Sequence, residues 1–477
     1  MRLNLSPMTV ATLLALALLG GCASLGGPAA GDGTPAATAV VPATLAAPAV
    51  SGGAALPGDG AALDWRPLVR DDRLVRLIDQ ALVNNRDLRL ATLAIDAARA
   101  QYRITDANRL PTVNASVAGS ASRSAADLSG GTASTSRQVS VSLGMAAWEL
   151  DLWGRLASLK DSALSTYLAT GQTRASVQAS LVTEVAQAWL TLAADRQREL
   201  LARQTLETRQ RSLELTQRRQ ALGVATALDL ASAQASAETA RGDLASAAAQ
   251  VVQDHNALRL LLGAEPDAAL LPGADGREAD QAATLLTVPA DLPSSVLLRR
   301  PDVRSAELTL QAARADVEAA RAALFPTLTL TASAGTASNA LTGLFAAGNG
   351  IWSLAPTLKL PILDGGASRS ALEIARIGEQ QQRATYDKAI QTAFREVADA
   401  LAVRASLAER LDAQQRLVDA YARSLELVTR RQQAGAESTL AVLDAQRSLY
   451  SAQQALITLR LTEQANRLTL FKVLGGT

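Results

Sequence analysis

The 477 residues predict a mixed α and β chain, mostly α and internally duplicated, whose four strands join those of other chains to close a barrel. Three observations carry that expectation. The chain passes from helix-type to strand-type periodicity at a proline, and does so twice. Most of it aligns with itself at a nearly constant offset. Two runs of 68 residues contain no Pro and a single Gly each.

The chain begins MRLNLSPMTVATLLALALLGGC, with one Arg and then an apolar run from Met8 to Leu19. Twelve residues are too few to span a bilayer but fit the core of a secretory signal. Leu19-Gly20-Gly21-Cys22 resembles the bacterial lipoprotein box, where the lipid is attached to the thiol and the cut frees its amine for acylation. Residues 1–21 are therefore expected to be a signal peptide and Cys22 the site of lipid attachment. The alternative is an ordinary secretory signal with an incidental cysteine. Cys22 is the only cysteine, which excludes an intrachain disulfide. Residue 23 is Ala rather than Asp, which by resemblance to sorted lipoproteins points to the outer membrane. Residues 22–62, rich in Gly, Ala and Pro, read as a lipidated, flexible leader.

Next come two copies of one plan. RDLRLATLAIDAARA (86–100) aligns with PDVRSAELTLQAARA (301–315) at an offset of 215. After the strands the offset is 212, where RRQALGVATALDLASAQ (218–234) meets RRQQAGAESTLAVLDAQ (430–446). The first repeat is expected over 63–263, an equatorial linker over 264–293 and the second repeat over 294–477. Each repeat reads helix, strand pair, long helix, sharp turn, helix.

The helices of 86–110 and 301–324 run into Pro111 and Pro326, beyond which the period changes to two. Proline suits such a junction, because it disfavours helix in the residue before it and lacks a donor. Strands are expected over 112–123, 137–148, 327–338 and 351–362, each near the length of a tilted transmembrane strand. Trp148, Trp153 and Trp352 stand near strand ends, as in an interfacial aromatic girdle. Lipid admits only helices and closed barrels, and about eight strands is the minimum for closure. Four strands per chain must then be pooled among chains. A flank of a soluble β-sandwich is the alternative for the strands alone. A barrel that continues as a helical tube is a conduit.

The two uninterrupted runs, Arg155–Leu222 and Ala367–Ala434, would each be a helix of roughly 100 Å. The shorter helices, 86–110 with 225–262 and 301–324 with 438–474, would stack end to end beside them. Val182, Val185 and Trp189, matched by Phe394, Val397 and Leu401, have the spacing of a helix seam. Gly223 and Gly435 fit helix C-caps, with Thr226 and Ser438 as N-caps of the returning helices.

Composition limits the chemistry. With 46 basic against 45 acidic groups, nothing supports nucleic acid or an anionic membrane surface as a partner. The single histidine, His255, reads as a packing or surface residue, and the pair Glu396 and Asp399 as a solvated face. No catalytic residue, metal ligand set or cofactor motif is expected.

Five segments carry a family resemblance: LDWRPLVRDDRLVRLIDQALVNNRDLRLA (63–91), WELDLWGRL (148–156), VPADLPSSVLLRRPDVRSAE (288–307), PILDGG (361–366) and AGAESTLAVLDAQRSLYSAQQ (434–454). At these residues the chain resembles the outer membrane efflux protein family (TolC-like), in its lipoprotein branch. The resemblance implies a homotrimer, with an outer-membrane β-barrel of four strands per chain continuing into a long periplasmic α-helical barrel. It implies an exit duct for small molecules, partnered by a periplasmic adapter (membrane fusion) protein and an inner-membrane resistance-nodulation-division pump. The turns at Gly223, Thr226, Gly435 and Ser438 would then be the adapter-docking tip. Asp444 falls on an acidic gate position, Leu440 on an apolar ring position, and Arg431 on the basic residue before the turn; Asp229 is a further gate candidate. For Asp229 the plain alternative is a first-turn acid facing the helix dipole. Family members often carry Tyr directly after the basic residue, whereas Gln432 and Gln220 stand here. A lipid-anchored periplasmic coiled-coil scaffold or adapter is the rival reading of the whole, and a duct for protein secretion would share the fold.

Overall fold

The computed structural model describes residues 64–476 apart from 129, 277–281, 284–285 and 288–290, together with short strands at Thr44–Ala46 and Ala54–Ala55. Cys22, the signal segment and most of the leader lie outside the described residues.

Helix α1 (Asp72–Asn84) starts on the Asp71 carboxylate, which accepts from the Arg73 amide, and buries Leu74, Leu77, Ile78 and Ala81 at helical spacing. It is separate from α2 (Arg86–Ala107) because Asn85 is extended and caps the next helix, accepting from the Leu88 amide. The same side chain donates to the Leu261 carbonyl at 2.8 Å, pinning this joint to the far end of the repeat. Strands β1 (Val113–Ser124) and β2 (Ser134–Leu150) follow, then α3 (Arg155–Ala221) and α4 (Ala227–Leu262). The second repeat contains α5 (Pro301–Ala322), β3 (Thr327–Ser338), β4 (Gly350–Lys359), α6 (Ala367–Gln433) and α7 (Thr439–Val473). Both α3 and α6 have 67 residues, about 100 Å of unbroken helix.

The four long strands form one antiparallel sheet in the order β1-β2-β3-β4, with pairs such as Val117 with Val141, Leu143 with Ala334 and Ala332 with Leu354. The strand bounds fall within three residues of the sequence expectation, and two of them depart by the full three. Strand β2 starts at Ser134 rather than 137, because its polar residues pair across the hairpin as far as Ser124 with Ser134. Strand β4 stops at Lys359 rather than 362, two residues before Pro361. The helices before the strands end at Ala107 and Ala322, short of 110 and 324, because the next residues form tight i to i+3 turns, Leu110 to Ala107 and Phe325 to Ala322.

Pro111 and Pro326 stand at the two helix-to-strand junctions, and each is braced by a tryptophan. The Trp148 indole donates to the Arg109 carbonyl at 3.1 Å, and Trp153 donates to the Pro326 carbonyl at 2.8 Å while stacking on Phe325. A bulge between Met145 and Trp148, with Ala147 at φ 50°, gives β2 the turn that aims Trp148. Trp352 lies near the opposite end of the sheet and is exposed.

The core sits midway along the long helices. Val182, Val185 and Trp189 of α3 pack there with Val397 and Leu401 of α6, and Phe394 flanks them. Arg300, buried at the start of α5, fastens three elements: it pairs with Asp302 and Glu396 at 2.6 and 2.7 Å and donates to the Val473 carbonyl. Glu396 therefore serves a buried cation rather than a solvated face. As expected, α2 and α4 lie beside α3, and α5 and α7 beside α6. His255 sits half-buried near Glu265, at 3.6 Å.

One buried group in this frame is costly. Asp254 of α4 takes a bond from Gln250 on one oxygen and leaves the other unpartnered. Burial and the nearby Asp195 carboxyl of α3, itself bound by Arg198, push Asp254 up to about 6. The equivalent residue in the second repeat is Asn466, which donates to the Ala400 carbonyl at 2.9 Å. A raised native pKa means that the fold favours the protonated acid. The contribution is complete below the ordinary carboxyl range and is lost as pH rises through about 6. The thermal midpoint should thus fall between pH 5 and 7.5 in the native protein. Asp254→Asn should raise it at pH 7.5, by about 1 °C for each kcal/mol recovered in a chain of this length, and flatten the dependence. A lower midpoint in the variant would show that the charged form is the stabilising one.

Candidate gate at the helical turns

Each long helix ends on a glycine in the left-handed region, Gly223 at φ 76° and Gly435 at φ 75°. The Gly223 amide bonds the Gln220 carbonyl and the Val224 amide that of Arg219; Gly435 and Ala436 repeat this with Gln432 and Arg431. This is the Schellman closure, which needs a residue free of Cβ strain at the second position of the turn. The returning helices are capped by Thr226 and Ser438, whose hydroxyls accept from the Asp229 and Ala441 amides.

The two turns differ in the acid that closes them. Asp229 completes a capping box, its carboxylate accepting from the Thr226 amide at 3.0 Å and from the hydroxyl at 2.7 Å. Those bonds hold its carboxyl below the usual range. In the second repeat Ala441 replaces that acid, and Glu437 meets Arg431 instead, at 3.4 Å. Arg431 also points a nitrogen at the Ala436 carbonyl, so within the chain it closes its own turn. Glu437 was not legible as a site residue; its signal was an acid two residues after Gly435 that the first repeat lacks, where Ala225 stands. Gln432 reaches Thr439 at 3.4 Å, a polar contact where a tyrosine had been the family expectation.

Above the second turn, Leu440 and Asp444 stand on the first turns of α7, both exposed. Asp444 is paired with Arg447 at 3.0 Å along the same helix, so its charge is shared on that face. Leu228, the first-repeat equivalent of Leu440, is also exposed, a second apolar position that the 212-residue offset picks out. Among the described residues no hydrogen bond or ion pair links the Gly223 turn to the Gly435 turn. Higher up, Arg209 of α3 is buried against the second repeat. It donates to the Ser236 carbonyl and hydroxyl and lies 6.0 Å from the Tyr450 ring. Burial lowers its pKa.

A sheet that is open at both edges, carried on two helical hairpins of this length, defines the class: one subunit of a barrel that extends into a helical duct. Residues 77–264 and 292–476 match the family model for outer membrane efflux proteins, and the chain belongs to that family. It is 45% identical over 413 residues to the toluene efflux pump outer membrane protein TtgC of Pseudomonas putida, covering 86% of this chain and 84% of that one. It is 40% identical to the cation efflux system protein CusC of Escherichia coli K12, covering 86% and 88%. The crystal structure of the open state of the MtrE outer membrane channel of Neisseria gonorrhoeae superposes with a TM-score of 0.78 at 37% identity, over 91% of this chain and 94% of that one.

The left-handed glycine gives a direct check on the second turn. Gly435→Ala places a Cβ in a conformation that costs about 1–2 kcal/mol. Amide exchange at residues 434–436 should quicken by roughly tenfold, with the middle of α6 unchanged. Unaltered exchange would mean that the turn opens by a route in which this residue keeps its conformation.

Proposed function

We propose that three copies of this chain pool their strands into one outer-membrane barrel and their helices into one periplasmic α-helical barrel, forming the exit duct of a tripartite efflux system. The observation that carries this reading is the sheet. Both outer strands, β1 and β4, have an unpaired edge, and both are exposed along their whole length. No helix among the described residues is long and apolar enough to cross a membrane. A scaffold without a pore gives such a sheet no role.

The duct conducts passively. Energy comes from an inner-membrane pump of the resistance-nodulation-division class, joined through a periplasmic adapter that docks at the Gly223 and Gly435 turns. A threefold axis would set three copies of Asp444 in a ring, with Leu440 as an apolar ring beside it and Arg431 closing the turn beneath. Such an acidic ring favours cations and repels itself, and Arg447 moderates both effects. Asp229, held in its cap, is the weaker member of the gate. The names of TtgC and CusC point to different cargo, toluene and cations, so the proposed substrate class is small molecules delivered by the pump. After removal of residues 1–21 the chain is anchored in the outer membrane through lipid on Cys22.

Purified protein in planar bilayers, with its mass measured in detergent, tests the duct. A trimer of small conductance that rises in Asp444→Ala is expected. A monomer without conductance would sink the duct, and a trimer whose conductance ignores the substitution would remove Asp444 from the gate. The anchor is tested apart from the pore. Cys22→Ser should abolish incorporation of labelled palmitate and leave conductance as it was. Label retained in that variant would rule out lipid on the Cys22 sulfur.

A further inference from the structure

The long helices α3 and α6 both flank the last turns of α7, and the three line a niche of about 750 Å³ within one chain. It lies on the side of α3 turned away from Trp189. That tryptophan is fully buried, donates to the Leu270 carbonyl at 3.1 Å and carries the Arg73 guanidinium over its ring. Helix α1 and the linker therefore cover its face of the wall. In the proposed duct such a covering belongs outside, because inside it would obstruct the lumen. Glu184, Gln187 and Thr191 of α3 recur at helical spacing on the other side, where they line the niche and face the lumen.

The duplication accounts for the charge of this niche. Glu184 and Glu396 are equivalent across the 212-residue offset, and both line it. Glu396 is neutralised by Arg300 at 2.7 Å. The counterpart of Arg300 in the first repeat is Asn85, which carries no charge. Glu184 is accordingly left with no hydrogen bond or ion pair from its side chain among the described residues. Asp399, standing where the first repeat has Gln187, has none either. On the floor is Asn466 of α7, only 8% exposed. Its amide nitrogen donates to the Ala400 carbonyl at 2.9 Å, while its side-chain oxygen accepts from no described residue. Lys472 supplies a cation at one end, and Leu461, Ala465 and Val403 an apolar surface beside these groups.

We propose that this niche binds protonated amines with an apolar body as they travel along the wall. Its place on the lumen rests on the duct reading, to which it adds a binding site and a ligand class. The Glu184 and Asp399 carboxylates, on the two flanking helices, attract the cation. The buried Asn466 oxygen accepts from its N–H, and the aliphatic side chains cover its body. A bare cation would leave Leu461 and Val403 without a contact, and a neutral molecule would leave both carboxylates unpaired. The volume is that of a pocket for a drug-sized ligand, roughly 300–1,000 Å³. Both carboxylates are exposed, so their attraction is screened by salt. Weak holding of this kind suits a conduit, in which a ligand must leave as readily as it enters.

Two fluorescent probes test the niche: dansylcadaverine, a primary amine on an apolar fluorophore, and dansylamide, the same fluorophore without the amine. With the purified full chain in an uncharged detergent, anisotropy should rise saturably for dansylcadaverine and not for dansylamide. Glu184→Gln and Asp399→Asn should each weaken binding by roughly fivefold. Lys472→Met, which removes a repelling charge, should strengthen it, and each variant should keep its mass in detergent. Equal binding of the amine by the native protein and by the double variant Glu184→Gln with Asp399→Asn, both conducting as trimers, would overturn the niche and leave the duct standing. Dansylamide bound as tightly as the amine would overturn the ligand class. A non-conducting monomer that still loses the amine in the double variant would sink the duct, and with it the lumenal placement.

Discussion

A strand in hydrocarbon has no water to satisfy its backbone, and each unpaired N–H or C=O there costs several kcal/mol. That constraint governs the rest of this chain. Its sheet pairs β2 and β3 on both sides and leaves β1 and β4 with one free edge each. Both β1 and β4 are exposed along their whole length among the described residues. A soluble protein would protect such edges by charge, brevity or a covering element, but β1 carries Val, Ala, Gly, Ser and one Asn over 12 residues with a single Arg. The sheet is therefore complete only as part of a larger one. The tryptophan-braced junctions then set where the wall changes from strand to helix.

The duplication shows the same problem solved twice with different side chains. Both long helices end in the same glycine turn, but one return is closed by the Thr226–Asp229 box and the other by Arg431 with Glu437. Asp254 and Asn466 occupy one repeat position, and only the amide finds a partner for each buried polar group. Arg404 and Leu192 share another: the Leu is fully buried, while the guanidinium is buried with no hydrogen-bond partner among the described residues and its pKa is lowered. Backbone geometry is the common inheritance of the repeats. Their polar chemistry has diverged, as expected when each faces a different neighbour.

Features set by local periodicity were legible in the sequence. Pro111 and Pro326 marked the junctions, the breaker-free runs gave α3 and α6 nearly to the residue, and Gly223 and Gly435 gave the turns. The candidate gate was legible only through the family resemblance, since an exposed Asp on a helix has no pattern of its own. What escaped depends on contacts between distant segments. The helix start at 86 was legible, but the bond from Asn85 to Leu261, 176 residues away, has no local signal. Trp148 and Trp153 read as girdle residues, but their indole bonds to carbonyls at Arg109 and Pro326 are long-range facts. Strand β2 outran its apolar pattern because Ser and Thr pair across a hairpin as well as Val does when both faces are bare.

The distribution of strength along the duct follows from where burial is possible. Midway along α3 and α6 the walls are several helices deep, and Trp189, Leu192 and Val397 are fully buried. Toward the turns only the hairpins remain, and their ion pairs, Arg430 with Glu426 and Asp444 with Arg447, are exposed. Exposed pairs contribute about 0–1 kcal/mol each, so few strong contacts hold the tip in one arrangement. A helix of 67 residues without a breaker is also stiff enough to carry a small rotation at its core to a large displacement at its end. A tip held by weak contacts at the end of long levers is one that a partner docked there, as proposed, could move with a modest binding energy. In the proposed trimer those contacts would be counted three times over, and repulsion among three copies of Asp444 would subtract from them. The proposed gate would then need no element that unfolds, only hairpins that pivot about the buried middle of the wall.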